Sequence, residues 1–177
     1  MRIISGVLGG RNFDAPRGHR THPMSEKARG GLFSALGDIS GLEVLDAFAG
    51  SGALSFEAIS RGAKSAVAID INNNAIDTIK KNSKSLGTYN KLKITRANAS
   101  GWSNNNKTAK FDLVFVAPPY DDLQPDLARK LSRHLKDSGI YVLDWPGNEP
   151  VLSIEGLEAA KQKDYGDAQL VFYRKIR

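Results

Sequence analysis

Two acidic residues with a small-residue loop between them form the stretch of this chain best suited to bind a charged ligand. The apolar pair Val44-Leu45 leads into Asp46, and the glycine-containing loop 47–52 and a predicted helix follow. Glycines let a backbone approach a ligand closely, and the first turn of a helix offers N–H groups without intrahelical partners. A second apolar run ends in Asp70, where a carboxylate can accept hydrogen bonds from both hydroxyls of a ribose.

The order of acid, glycine loop and acid separates two classes of nucleotide ligand. A dinucleotide fingerprint has a third glycine where this chain has Ser55. The Asp46 carboxylate would repel a pyrophosphate, whereas it would attract the ammonium and sulfonium groups of S-adenosylmethionine (SAM). SAM is therefore the predicted cofactor. NAD is the alternative ligand, and a purely structural helix start with packing glycines is the third interpretation.

The predicted cofactor site draws on the ends of three strands. Asn98 follows the third of these strands, and its side-chain carbonyl could accept a hydrogen bond from the adenine amine. The predicted cofactor-binding residues are Asp46, Phe48, Gly50, Ser51, Gly52, Asp70, Ile71, Asn98 and Ala99.

A second chemical site is predicted where the largely apolar run Phe111–Val116 ends. Enzymes that methylate amino groups carry Asp or Asn, two prolines and an aromatic residue at this point. The acidic or amide side chain and the first proline carbonyl accept hydrogen bonds from the amine, and the aromatic ring stacks on a flipped-out base. The predicted catalytic residues are Ala117, Pro118, Pro119 and Tyr120.

Ala117 stands where the motif needs a hydrogen-bond acceptor. Losing one acceptor costs roughly 1–3 kcal/mol, or about 5- to 150-fold in rate. Asp121, Asp122 or Asp144 could supply the missing group. If none does, Ala117→Asp or Ala117→Asn is expected to raise the methylation rate.

Charge is concentrated at the two ends of the chain. The net charge is +6; residues 1–36 hold six Lys and Arg against two acids, and residues 161–177 hold five against two. Basic ends around a nearly neutral middle indicate contact with a polyanion, although they could also serve solubility alone. The predicted RNA-binding residues are Arg2, Arg11, Arg17, Arg20 and Arg29.

Alternating strands and helices predict an α/β doubly wound sheet with ligands at the C-terminal strand ends. The chain should open with a hairpin over residues 1–16 that turns at Gly9-Gly10. Helices are predicted from Ser25 to Leu36 and over 122–136, and a closing antiparallel pair over 157–165 and 169–176. The glycines at 30 and 31 should each weaken the first helix by about 1 kcal/mol.

The stretches D-A-F-A-G-S-G-A-L from Asp46 and E-A-I-S-R-G-A from Glu57 strongly resemble the RsmD-type family of bacterial methyltransferases. The resemblance reaches both ends of the chain, although His22, Met24 and Gly30 depart from the family pattern. It implies a Rossmann-like class I methyltransferase fold with a mostly parallel seven-stranded sheet and an antiparallel C-terminal strand.

The family's activity is methylation of the exocyclic N2 of a guanine in 16S rRNA. The implied partner is therefore 16S rRNA within the small subunit or an assembly intermediate, with the protein a monomer. The implied domains are a basic hairpin extension over residues 1–20 and a SAM-dependent methyltransferase domain over 21–177.

Composition narrows the other possibilities. The 177 residues suffice for one domain with a core, and the lack of cysteine excludes disulfides and zinc–thiolate sites. We expect no metal site and no membrane span, and we expect a cytoplasmic location. Two further functions stay open: amino-methylation of DNA or of another RNA target, and a SAM- or RNA-binding assembly protein with impaired catalysis.

Overall fold

One seven-stranded sheet organises residues 1–18 and 23–177, which the computed structural model describes. In chain order the elements are α1 (Glu26–Leu36), β1 (Glu43–Asp46), α2 (Ala53–Ser60), β2 (Ser65–Asp70), α3 (Asn73–Leu86), β3 (Leu92–Arg96), α4 (Ala99–Asn105), β4 (Phe111–Val116), α5 (Pro125–Leu131), a 3₁₀ turn (Ser132–His134), β5 (Leu135–Pro146), β6 (Leu157–Tyr165) and β7 (Ala168–Lys175). The strand order is β3-β2-β1-β4-β5-β7-β6. The first five strands are parallel, and β7 is antiparallel to both of its neighbours. The predicted α/β fold is confirmed.

Helices cover both faces of the sheet, which explains why every residue of the central strand β4 except Asp112 is apolar. Its side chains alternate: Leu113 and Phe115 join a core with α1, α2 and α3, whereas Val114 and Val116 join a core with α4 and α5. Within the described ranges, no helix combines the length and apolar character that a membrane crossing requires.

The N-terminal hairpin is confirmed in a shorter form than predicted. It has one isolated antiparallel bridge, between Arg2 and Asn12, with its turn before Gly10. Ile3 and Phe13 are buried in the core shared with α2 and α3. Residues 1–16 therefore pack as part of the domain, and the predicted domain boundary between 20 and 21 lies outside the described residues.

Two helix predictions had different outcomes. Ser25 caps α1 as predicted, since its side chain accepts a hydrogen bond from the Ala28 N–H at 3.0 Å. The helix predicted over 122–136 was wrong at both ends, because α5 begins at Pro125 and ends at Leu131. Leu135, although it continues the leucine spacing, already pairs with Phe111 as the first residue of β5.

Candidate functional site

A cleft of about 700 Å³ opens at the C-terminal ends of β1 and β4. Its volume suits a nucleotide-sized ligand. The lining brings together the predicted residues Asp46, Phe48, Gly50, Ser51, Ala117, Pro118, Pro119 and Tyr120. The predicted cofactor loop and the predicted catalytic motif therefore share one cleft, as expected for neighbouring parallel strands.

The loop between β1 and α2 needs two of its glycines. Gly50 and Gly52 have φ values of 53° and 78°, in the region that residues with a Cβ rarely adopt. A Cβ on Gly52 would also lie 2.9 Å from the Phe56 ring and 3.1 Å from Ile79. Close packing beneath the loop thus leaves no room for a side chain at position 52.

Asp46 is the most deeply placed acid of the cleft, with 1 % of its surface exposed. Its carboxylate accepts a hydrogen bond from the Ser55 hydroxyl at 2.7 Å. Burial raises the pKa of Asp46 to about 6; the charge of Asp70 adds to this shift and the Ser55 hydrogen bond opposes it. A buried carboxylate of this kind is stabilised by a cationic ligand group.

Ser55 is the supporting residue that the sequence prediction missed. It occupies the position of the third glycine in a dinucleotide fingerprint, and its hydroxyl orients Asp46 instead of leaving space for helix packing. The replacement of that glycine by serine was the available signal.

Asp70 joins the end of β2 to the glycine loop. Its two carboxylate oxygens accept hydrogen bonds from the Gly50 and Asn72 N–H groups, both at 2.8 Å. Ile71 beside it is 63 % exposed, which is unusual for an aliphatic side chain of this size. Asp70 and Ile71 lie outside the lining of the 700 Å³ cleft, as do Asn98 and Ala99 at the end of β3.

The side-chain oxygen of Asn98, which was predicted to bind adenine, already accepts hydrogen bonds within the chain. The side-chain oxygen of Asn98 accepts hydrogen bonds from the N–H groups of Ser100 and Gly101, at 2.9 and 3.3 Å, and so caps α4. The hydrogen bond from the adenine amine to this oxygen stays a prediction, in which the amine would share the oxygen with the N-cap. The amide nitrogen of Asn98 can still donate a hydrogen bond.

The Ala-Pro-Pro-Tyr loop adjoins an acid from the next strand. Val116 pairs with Leu143 in the parallel register of β4 and β5, so that Ala117 and Asp144 follow side by side. The Tyr120 hydroxyl donates to the Asp144 carboxylate at 2.5 Å, and 42 % of the Tyr120 surface remains exposed. Burial and the Asp144 charge raise the pKa of Tyr120 well above its usual range.

Asp144 is itself perturbed by this position. The pKa of its carboxyl group is raised to about 6, chiefly by burial. The negative charge of Asp167 contributes to this increase, and the Tyr120 hydrogen bond opposes it. Asp144 lines the same cleft as Ala117.

The predicted RNA-binding arginines have different environments. Arg29 is 1 % exposed, its guanidinium donates to the backbone oxygen of Arg2 at 2.5 Å, and its Nε lies 3.5 Å from the Glu57 carboxylate. The prediction that Arg29 contacts RNA was wrong, because α1 packs it into the interior. Arg2, Arg11 and Arg17 are exposed.

Two of the exposed arginines already bind other residues of the chain. Arg2 pairs with Glu26 at 2.8 Å, and Arg11 donates to the Ser85 backbone oxygen at 2.8 Å. The predicted contact of Arg20 lies outside the described residues.

A family model, two curated relatives and a solved structure are similar to this chain over most of its length. Residues 1–174 match the model of the family described as Conserved hypothetical protein 95. Ribosomal RNA small subunit methyltransferase D of Buchnera aphidicola (subsp. Acyrthosiphon pisum) is 38 % identical over 119 residues, which cover 67 % of this chain and 62 % of that protein. Its namesake in Escherichia coli K12 is 31 % identical over 156 residues, or 88 % and 74 % of the two chains. The solved structure of yhhF from Escherichia coli has a TM-score of 0.88 at 27 % identity and covers 99 % of this chain and 97 % of its own.

Proposed function

The chain belongs to the RsmD-type family of methyltransferases, and on that premise we propose that it transfers a methyl group from SAM to the exocyclic N2 of a guanine in 16S rRNA. The observation that carries the proposal is the meeting, in one cleft, of the Asp46–Gly52 loop and the Ala-Pro-Pro-Tyr loop. The first suits a cationic nucleoside, and the second suits an amine on a base.

The residues of the cleft fit SAM. Asp46 places a buried carboxylate where a cationic group would relieve the cost of its burial, and the glycine loop leaves backbone exposed beside it. Asp70 and Ile71 would extend this site toward a ribose and an adenine face. SAM, when bound, supplies an electrophilic methyl group on a sulfonium.

The base would be held by the loop after β4. The Pro118 carbonyl is a candidate acceptor for one amine proton, since proline lacks an N–H and fixes the loop. The exposed Tyr120 ring offers a stacking face, which is worth about 1–3 kcal/mol per base. The methyl-transfer rate then depends chiefly on alignment of the amine with the methyl group.

The proposed partner is 16S rRNA within the small subunit or an assembly intermediate, bound by the protein as a monomer in the cytoplasm. The exposed arginines at positions 2, 11 and 17 support an RNA-facing role for residues 1–20, with residues 21–177 carrying the cofactor and the chemistry. Charge contacts of this kind make binding salt-dependent.

Three measurements test the proposal. Calorimetry should detect binding of SAM and of S-adenosylhomocysteine but not of NAD, and tight NAD binding without a SAM signal would exclude the cofactor assignment. Radiolabelled methyl groups should enter small subunits or 16S rRNA and not duplex DNA. Mass spectrometry of rRNA nucleosides from cells with and without the gene should locate the modification as N2-methylguanosine.

A second candidate function is favoured by one residue, Ala117, which lacks the acceptor of the motif. On this alternative the protein binds SAM and RNA during subunit assembly without efficient catalysis. Intact SAM binding with no methyl incorporation into any of the RNA substrates would support it.

A further inference from the structure

The missing acceptor at position 117 has a neighbour that can replace it. Because β4 and β5 are parallel and Val116 pairs with Leu143, the next residues along, Ala117 and Asp144, emerge together at the same edge of the sheet. Both line a small, mostly apolar pocket beside the cleft, together with Met24, Leu54 and Phe115. Asp144 therefore brings a carboxylate from β5 next to the residue of the motif that lacks an acceptor.

The other two acids near the motif are placed less well. Asp122 accepts a hydrogen bond from the Gln124 side chain at 3.0 Å and lies outside the cleft lining. Asp121 lines the cleft, but it follows Tyr120 on an exposed turn. Only Asp144, among these three candidates, adjoins Ala117 in the sheet register.

We propose that Asp144 is a catalytic residue, whose carboxylate accepts the hydrogen bond from the base amine that Ala117 cannot accept. This inference rests on the proposed function. Tyr120 engages one oxygen, Oδ1, and no donor in residues 1–18 and 23–177 reaches Oδ2. Asp144 and Tyr120 line the same cleft, so Asp144 holds the Tyr120 hydroxyl through Oδ1 and has a second carboxylate oxygen for the base amine.

The role in the reaction follows from the chemistry of the amine. The N2 lone pair is delocalised into the ring, and an acceptor on an N2 proton favours the pyramidal form that attacks. As the N2–methyl bond forms, the carbon–sulfur bond of SAM breaks with its electron pair moving to sulfur. One N2 proton then passes to Oδ2 of Asp144 and from there to solvent.

Single-turnover methylation of small subunits by purified full-length variants tests this role. Asp144→Ala should lower the rate about 5- to 150-fold with the SAM dissociation constant unchanged, because the lost acceptor acts on the base amine. Ala117→Asp in the Asp144→Ala background should recover most of that loss. In the wild-type background Ala117→Asp should change the rate by less than about threefold, since an acceptor is already present.

The matched control is Asp122→Ala, which removes an acid close to Tyr120 in the chain but outside the cleft lining and should leave the rate unchanged. Asp144→Asn serves as the shape-preserving variant: its Oδ1 can still accept from Tyr120, while Nδ2 replaces the acceptor with a donor. It should therefore be slow although circular dichroism and SAM binding match the wild type.

Each outcome decides the inference. A wild-type rate in both Asp144→Ala and Asp144→Asn overturns it, and so does failure of Ala117→Asp to restore the rate of folded, SAM-binding Asp144→Ala protein. If the wild-type protein methylates small subunits, either of these two results leaves the proposed function unaffected. A wild type that binds SAM and methylates no RNA contradicts both proposals.

Discussion

Glu57 should be the most costly single carboxylate to remove from this fold. It is fully buried on α2, and its two oxygens accept hydrogen bonds from the N–H groups of Ile4 and Ser5, at 2.9 and 3.0 Å. Arg61 donates to it at 2.9 Å, and the Nε of the buried Arg29 lies 3.5 Å away. One side chain therefore joins the N-terminal segment, α1 and α2.

The size of the effect follows from what is left unpaired. Glu57→Ala leaves a buried guanidinium without its counter-ion, which costs about 3–5 kcal/mol of unfolding free energy. Glu57→Gln preserves the volume, but its NH₂ group faces donors that the carboxylate satisfied, and the cost should be about 1–3 kcal/mol. Burial already lowers the pKa of Arg29, which Glu57 opposes, so removing Glu57 makes the charged guanidinium still less favourable.

Urea denaturation at one fixed pH measures both values. Glu158→Gln, an exposed carboxylate on β6, is the matched control and should stay within about 0.5 kcal/mol of the wild type. Hydrogen exchange of the Ile4 and Ser5 amides should accelerate in the Glu57 variants. Wild-type stability in Glu57→Ala, with those amides still protected, would refute the reasoning.

Three further predictions follow from the cleft and from α1. Burial raises the pKa of Asp46 from its ordinary value of 3.8 to about 6 in the folded state. Between these values the folded state binds more protons than the unfolded state, so Asp46 lowers the stability as pH rises from about 4 to 6. Asp46→Asn should remove that loss, stabilise the ligand-free protein at pH 7.5 by about 1–3 kcal/mol and abolish SAM binding. Thermal unfolding at about pH 4 and at pH 7.5 checks the stability, and calorimetry with SAM at pH 7.5 checks the binding. Gly30→Ala should raise the melting temperature by about 2–4 °C, because the added Cβ would meet only Ile4 at 3.7 Å. Gly31→Ala should bring no such gain, because its Cβ would lie 1.7 Å from the Tyr165 hydroxyl. Equal gains in melting temperature for both variants would contradict this prediction. Tyr120→Ala should weaken capture of the target guanine about 5- to 150-fold in RNA-binding assays, while Tyr120→Phe keeps the ring and should stay within about threefold.

Local sequence patterns were enough for the fold because each element is locally consistent. The largely apolar run of β4 and the helix start at Ser25 predicted their elements correctly. The conformation of the loop between β1 and α2 could also be predicted, since left-handed glycines next to a buried acid leave a pattern in the sequence itself. Leucine spacing failed over 122–136 because it cannot show that Leu135 pairs with β4.

The sequence by itself determined the order of strands and helices, the glycine loop and the residues that follow each strand, because these depend on contacts a few residues apart. Only the tertiary structure decided which distant side chains meet. It buried Arg29 against Glu57, used Gly31 to accommodate Tyr165, and placed Asp144 beside the alanine of the methyltransferase motif. Such pairs depend on strand register and helix packing between residues far apart in the chain, which periodicity and composition do not encode.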